Sequence, residues 1–412
     1  MKRLALICVV PALIYANSLK DLLSEASKNN HIVASKMLNE KAKLEDLESS
    51  KNSYYPTIDI GGAYQNSNQK STGVAGDIYS SYISLGVDLY DGGYKSSTVN
   101  KNKALVKSSK LQTSAYKKSL NLSIVEDFYN IKNVESTIKA LKEKSVQLKA
   151  ELKRVTSFFE VGSTTKDEID KLQAELSNNT YSIETSKYEL LALKQMLSIK
   201  TGKEIDILDD SFLKIPSFGK YEIRDDIKAM IANVDSYTYS AKSIESSYKP
   251  KLTLKNTYSI YDYGRTDSTH TSSIANQNKL LLSFNMKLYD NGVIKNKKNS
   301  ILLQKRALQE EIKQSIKSQD ISIKLAILKI STTNSQIKSA KKSLESAKSA
   351  YETISEKYKV GVVDNVAYLD ALSIKTNAQA QYEVALNDLQ IAYANYYYCT
   401  NKNIKEYIKW IS

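Results

Sequence analysis

The chain has 412 residues, a formal charge of +14, and only 13 glycines and four prolines. That length would allow two or three ordinary domains, but scarce Gly and Pro beside abundant Lys, Glu, Ser, Ala, Leu and Ile mark long helices instead. Aromatic content rests on 29 tyrosines against six Phe and one Trp, which suits surfaces that are apolar at one end and wet at the other, a membrane interface included.

Residues 1–16 read as a secretory signal peptide. Lys2 and Arg3 form its charged region, Leu4 to Ile14 its apolar region, and Ala16 is the expected last residue before cleavage. The apolar run is too short to span a bilayer. Cys8 falls inside the leader, so Cys399 is the one cysteine of the mature chain and no intramolecular disulfide can form. Losing Lys2 and Arg3 lowers the formal charge to +12, two below the +14 of the whole chain. Solvated helix faces are the simpler account of that excess, and contact with anionic lipopolysaccharide or lipid headgroups is the alternative. No nucleic-acid partner is expected without a basic cluster on a recognisable module.

Residues 18–54 read as a helix, with apolar positions at Leu19, Leu22, Leu23, Ala26, Ile32 and Leu38, ended by Pro56. Period-2 alternation follows. Ile58, Ile60, Gly62 and Tyr64 share one face; after a polar loop with Gly73 and Gly76, so do Ile83, Leu85, Val87 and Leu89. Leu89-Tyr90-Asp91-Gly92-Gly93 closes the second strand. A long rod then runs to Val161-Gly162, with no Gly or Pro in residues 94–161. Its seam is a heptad through Ile131, Val134, Ile138, Leu141, Ser145, Leu148, Leu152 and Val155. Beyond Gly162 a returning helix keeps the rhythm from Ile169 to Leu197.

The order then repeats. A helix over residues 223–248 ends at Pro250. Leu252, Leu254, Tyr258 and Ile260 alternate with polar residues, and a polar loop follows through Asp267 and His270. Leu280, Leu282, Phe284, Met286 and Leu288 form the second face. Leu288-Tyr289-Asp290-Asn291-Gly292 opens a second rod that turns at Val360-Gly361. Leu89 and Leu288 lie 199 positions apart, as do Val161 and Val360, so both rods have one length. A helix of that length spans roughly 95–100 Å. Such a doubling fixes the organisation before any fold is named: residues 17–200 are a first repeat, 201–220 a linker, 221–399 a second repeat and 400–412 a tail. Linker and tail are expected as an irregular belt.

Strands of this length, apolar on one face and polar on the other, match a membrane barrel with a wet lumen. The alternative, a half-buried sheet in a soluble sandwich, finds nothing between the rods to pack on. No apolar run is long enough for a transmembrane helix, so a membrane protein of this sequence must use strands. Four strands cannot close a barrel, and an open edge in lipid leaves backbone groups unsatisfied. The chain is therefore expected to oligomerise. Two copies give eight strands and three give twelve, the latter with room for a lumen.

The ordering resembles the TolC family of outer membrane channels over essentially the whole mature chain. The stretches that carry it are Ser53-Tyr54-Tyr55-Pro56-Thr57-Ile58, Leu89-Tyr90-Asp91-Gly92-Gly93, Val161-Gly162 followed by Ile169 to Leu176, and Tyr358-Lys359-Val360-Gly361 followed by Tyr368-Leu369-Asp370-Ala371. His31 stands where that family often has Pro. The resemblance implies an α+β membrane protein: a homotrimer with a 12-stranded β-barrel, four strands per chain, continued by an antiparallel coiled-coil α-helical barrel. It implies an exit duct in the outer membrane of a Gram-negative cell, extending into the periplasm. The partners would be outer membrane lipid, a periplasmic adaptor (membrane fusion) protein and an inner-membrane RND or ABC transporter.

The resemblance also places functional residues at the helical tips. Asp370 matches one of two inward acids that ring a closed channel entrance, while the other position is Ala367. Glu168 and Tyr358 match the acidic and hydroxyl partners of a tip latch whose basic member is replaced by Val363. Val161, Gly162, Val360 and Gly361 are the expected adaptor contact. No cofactor or metal is expected and no enzyme activity, since His31 and His270 have no ligand or triad partner in the pattern and no glycine-rich phosphate loop occurs. A coiled-coil filament or envelope-spanning structural protein is the alternative; it leaves the leader and the paired amphipathic strands unexplained.

Overall fold

A computed structural model describes residues 18–68, 76–264 and 274–410. The expected leader lies outside these residues, as do Gly73, Asp267 and His270 of the two polar loops. In chain order the elements are α1 (Leu19–Asn29), α2 (His31–Asn52), β1 (Thr57–Asn66), β2 (Asp77–Tyr90), α3 (Tyr94–Glu160) and α4 (Lys166–Thr201), then β3 (Ser211–Leu213), α5 (Asp225–Glu245), β4 (Lys251–Gly264), β5 (Asn276–Asn285), α6 (Val293–Lys359), α7 (Asn365–Cys399) and β6 (Ile408–Trp410). The repeat is plain in this order. Both rods, α3 and α6, have 67 residues.

The expected single helix over residues 18–54 is two helices. Asn30 leaves the helical region at φ −69°, ψ 120°. Its Oδ1 accepts from the N–H groups of Ile32 and Val33 at 3.0 and 3.1 Å, and its Nδ2 donates to the Lys200 carbonyl at 3.0 Å. An Asn side chain that satisfies two free N–H groups favours a helix start over helix continuation. His31 thus occupies the first position of α2, where a Pro would also be tolerated. The apolar stripe divides with the helix: Leu19, Leu22, Leu23 and Ala26 are fully buried, whereas Ile32 and Leu38 are exposed.

The chain forms two compact units, one of residues 36–113 and 226–315, the other of residues 1–35, 114–225 and 316–412. Each repeat contributes to both. The first unit holds a four-stranded antiparallel sheet in the order β1-β2-β4-β5. Register puts Ile58, Leu85 and Ile60, Ile83, Tyr258 in cross-strand rows, with Val87, Leu254 and Leu282 in another. These side chains share one face, and many are exposed: Ile58, Ile60, Leu280, Leu282 and Phe284 among them. The opposite face carries Asp59, Ser84, Thr257 and Lys279 in one row, and Asp88, Thr253 and Ser283 in another. Met286 and Leu288, expected in the last strand, lie beyond its end. Lys251 pairs with Asn285 and Pro250 precedes Lys251, so β5 has no partner past Asn285.

The second unit is built from hairpins. α3 buries Ile131, Ile138, Leu148 and Val155, while α4 buries Leu172, Asn179, Ile183 and Leu197. Asn179 donates to the Leu141 carbonyl at 3.0 Å. α6 buries Ala326, Thr333, Ala340 and Ala347, and α7 buries Ala371, Ala378, Ala385 and Ala392. Both series step by seven, as a coiled-coil seam requires.

The linker is mostly irregular, as expected, but linker and tail are joined by two short strands: β3 pairs antiparallel with β6. Tyrosines anchor them. Tyr129 donates to the Ser211 carbonyl at 2.7 Å and Tyr397 to the Lys214 carbonyl at 2.9 Å. The Tyr397 ring stacks on Tyr407 at 4.1 Å. Burial, with neighbouring phenols adding to it, pushes the Tyr397 hydroxyl up to about 12. Tyr129, Tyr396 and Tyr397 are fully buried beside Leu19, Phe128 and Leu197. Part of the tyrosine content therefore serves a wet-edged core rather than a membrane boundary.

Candidate gate at the hairpin tips

Each hairpin turns through the same backbone device. At the first tip Ser163 N–H donates to the Phe158 carbonyl at 2.8 Å and Gly162 N–H to the Phe159 carbonyl at 2.9 Å. At the second, Val362 N–H donates to Lys357 at 2.9 Å and Gly361 N–H to Tyr358 at 3.1 Å. These nested bonds close a helix through a left-handed residue. Gly162 has φ +73° and Gly361 φ +75°, with open space where a Cβ would stand. Glycine is therefore there for the backbone angle. Val161 and Val360 are 74% and 75% exposed. The next helices start at once: Asp364 accepts from Ala367 N–H at 2.9 Å and caps α7, and Asp167 and Glu168 place acid in the first turn of α4.

Behind the turns Leu148, Val155, Leu172, Tyr351, Tyr358, Tyr368 and Leu372 form one buried cluster. Tyr358 stacks on Tyr368 at 4.9 Å with rings inclined by 20°, and Tyr351 lies 6.0 Å from Tyr368. The cluster also holds a base. The Arg154 guanidinium from α3 covers the Tyr358 ring at 4.8 Å and the Phe158 ring at 5.3 Å. Glu151, one turn back, holds it through bonds of 2.6, 3.0 and 3.1 Å. Lys375 Nζ lies 4.5 Å above the Tyr351 ring, whose hydroxyl donates to Gln147 Oε1 at 3.2 Å. Burial pushes the Tyr358 phenol well above its usual range, and the Glu151 and Glu168 charges push it further, so it stays a neutral donor.

The tip residues named from the sequence are placed as follows. Tyr358 lies inside the cluster, and its hydroxyl meets Glu151. The Glu168 carboxylate accepts from Thr164 at 2.8 Å, and its backbone carbonyl accepts from Asn365 at 3.3 Å. Val363 packs against the cluster. A basic group is present all the same, because Arg154 brings it from α3. In the sequence, Arg154 looks like a solvated heptad charge, and its aromatic partner lies 204 positions away. Asp370 is exposed on α7, with no ion pair or hydrogen bond among the described residues.

An antiparallel sheet with one apolar exposed face suits a membrane protein of the strand type. No helix among the described residues is long and apolar enough to cross a membrane. The family model for outer membrane efflux proteins matches residues 22–198 and 222–401, and the chain belongs to that family. Its place is the outer membrane with extension into the periplasm, and its work is that of an efflux exit duct.

Solved structures agree in fold. The Campylobacter jejuni CmeC outer membrane channel matches with a TM-score of 0.80 at 17% identity, over 94% of this chain and 86% of that one. The outer membrane protein VceC from Vibrio cholerae gives 0.79 at 12% identity, over 94% and 96%. The open state of the Neisseria gonorrhoeae MtrE outer membrane channel gives 0.75 at 15%, over 94% and 89%. Comparison with curated proteins finds no match.

Proposed function

We propose that three copies assemble into a 12-stranded barrel continued by a helical barrel, and that the duct is passive, with no catalytic step of its own. The observation that carries this is the sheet. Its outer strands β1 and β5 each leave one edge unpaired, and in the order β1-β2-β4-β5 they run antiparallel to each other. β5 of one copy can therefore pair with β1 of the next in the same antiparallel sense, a head-to-tail contact that closes into a ring. Lipid demands such closure.

The tips supply the gate. The tie of Arg154, Glu151, Tyr358 and Tyr368 holds the resting entrance shut, with Glu168 and the start of α7 supporting it. Three copies of Asp370 near the axis favour cations at that entrance. The exposed Val161-Gly162 and Val360-Gly361 turns engage a periplasmic adaptor, which joins the duct to an inner-membrane transporter of the RND or ABC class. The transporter supplies the energy and selects most of the cargo. Domain boundaries follow the repeat: residues 17–200 and 221–399, with 201–220 between them and 400–412 as the tail.

Cross-linking tests the assembly. Ala63→Cys on β1 and Gln277→Cys on β5, in a Cys399→Ser background, are separated within one sheet by three strand spacings, roughly 14 Å. A bismaleimide shorter than that spacing joins only neighbouring copies. The expected result is a covalent ladder ending at three chains. A ladder ending at two, or running past three, contradicts the trimer.

A further inference from the structure

The unit that carries the sheet also holds two adjoining cavities at the helix-proximal end of the strands, of about 590 and 530 Å³, which share Tyr94, Ser247 and Lys287. The first is lined by Asp88, Lys251 and Asn285, which belong to the polar face of the sheet, and by Lys249. The second adds Lys101 and Lys297. Three acids line these cavities, and each is already engaged. Asp88 is held between Lys95 at 3.1 Å and Lys251 at 3.2 Å, and accepts from Thr253. Asp91 accepts from the N–H groups of Gly93 and Lys95 at 2.9 and 2.6 Å. Asp290 accepts from Gly292 and Ile294 N–H groups and from the Tyr248 hydroxyl at 2.7 Å. Lys101, Lys249, Lys287 and Lys297 make no ion pair among the described residues. Six lysines therefore line the two spaces against three acids, and although the Asp290 charge reaches Lys287, the lining keeps an excess of positive charge. Such a concentration of one sign in a concave site attracts and holds anions.

We propose that these cavities form an anion-binding station on the water-facing side of the sheet, taking the phosphate, sulfonate or carboxylate group of a molecule in transit. The station rests on the duct reading, because that reading makes the polar face the lumenal one. The same chemistry could come from a lipid headgroup. The polar face argues for the lumen, since the apolar face is the one suited to lipid. Lys249 and Lys287 are the residues to change, because removing them breaks no internal pair.

The test is isothermal titration of the oligomer, in discs of zwitterionic lipid at low salt, with inorganic pyrophosphate. The expected result is binding that weakens with salt, as exposed charge interactions do. It should weaken at least tenfold in Lys249→Gln/Lys287→Gln and persist in Lys249→Arg/Lys287→Arg. Equal binding by the glutamine variant, or none by the wild type, overturns the station. Loss of binding when the discs contain phosphatidylglycerol assigns the lysines to headgroups and also overturns it. Conductance of the same oligomer is read separately. Normal conductance without binding removes the station alone, and binding without conductance removes the duct reading alone.

Discussion

Arg154→Ala will raise the conductance of the resting channel several-fold. The guanidinium sits 4.8 Å from the Tyr358 ring and 5.3 Å from Phe158, oriented by Glu151. It is the one base in the tip tie that joins the first hairpin to the aromatic residues of the second. A half-shielded cation–π contact contributes roughly 1–2 kcal/mol, which shifts a closed-to-open ratio about 5- to 30-fold. Tyr358→Phe keeps the ring and removes only the hydroxyl facing Glu151, so its effect should be smaller. Glu168→Ala should act mainly through the turn it forms with Thr164. Planar-bilayer recordings of the three variants give the order directly. An Arg154→Ala channel with wild-type conductance would remove the tie from the gate.

Asp225→Ala will destabilise the unit formed by residues 1–35, 114–225 and 316–412. The carboxylate accepts from Ser114 at 2.6 Å and from Asn401 Nδ2 at 3.0 Å, and pairs with Lys118 at 2.9 Å. Removing it leaves the largely buried Lys118 ammonium with only the Asn401 oxygens, at 2.8 and 2.9 Å. Breaking a buried pair on one side costs about 3–5 kcal/mol, and the remaining acceptors should hold the loss here to the lower end. Burial alone would raise the Asp225 carboxyl. Hydrogen bonds from Ser114, Lys118 and Asn401, with the Lys118 charge, outweigh it and hold the group below the usual carboxylate range. A lowered native value means the stabilisation is complete above the unfolded value, near pH 4, and is lost as pH falls through the native one. Denaturant melts of wild type and Asp225→Ala should thus differ most at neutral pH and converge in acid. A constant gap across that range would show that the charge is not what the site uses.

Periodicity made most of the fold legible. The heptad seams and the alternating strands are long, and each buries or exposes a continuous face, so the pattern survives in one dimension. Three features left no such trace. Asn30 breaks a helix whose apolar stripe runs on past it, because a local side-chain cap outcompetes continuation. β3 and β6 have three residues each, too few for alternation to register, and what fixes them is hydroxyl bonds from Tyr129 and Tyr397 far away in sequence. The early end of β5 follows from Pro250 on its partner, not from its own residues. At the tip, Tyr358, Glu168 and Asp370 could be named through the resemblance to the channel family, not from spacing alone. Arg154 could not: it is the single arginine among the many lysines of α3, but its partner Tyr358 lies 204 positions away. Only the packing of one hairpin against the other brings it to Tyr358.

The most direct measurement is single-channel recording of the purified, unboiled oligomer in a planar bilayer, for wild type, Arg154→Ala and Asp370→Asn. An efflux duct shut at its tips gives a small, steady wild-type conductance, larger steps in Arg154→Ala, and weaker cation preference in Asp370→Asn. A folded oligomer that inserts into the bilayer but passes no ions, in the wild type and in Arg154→Ala alike, would contradict the duct.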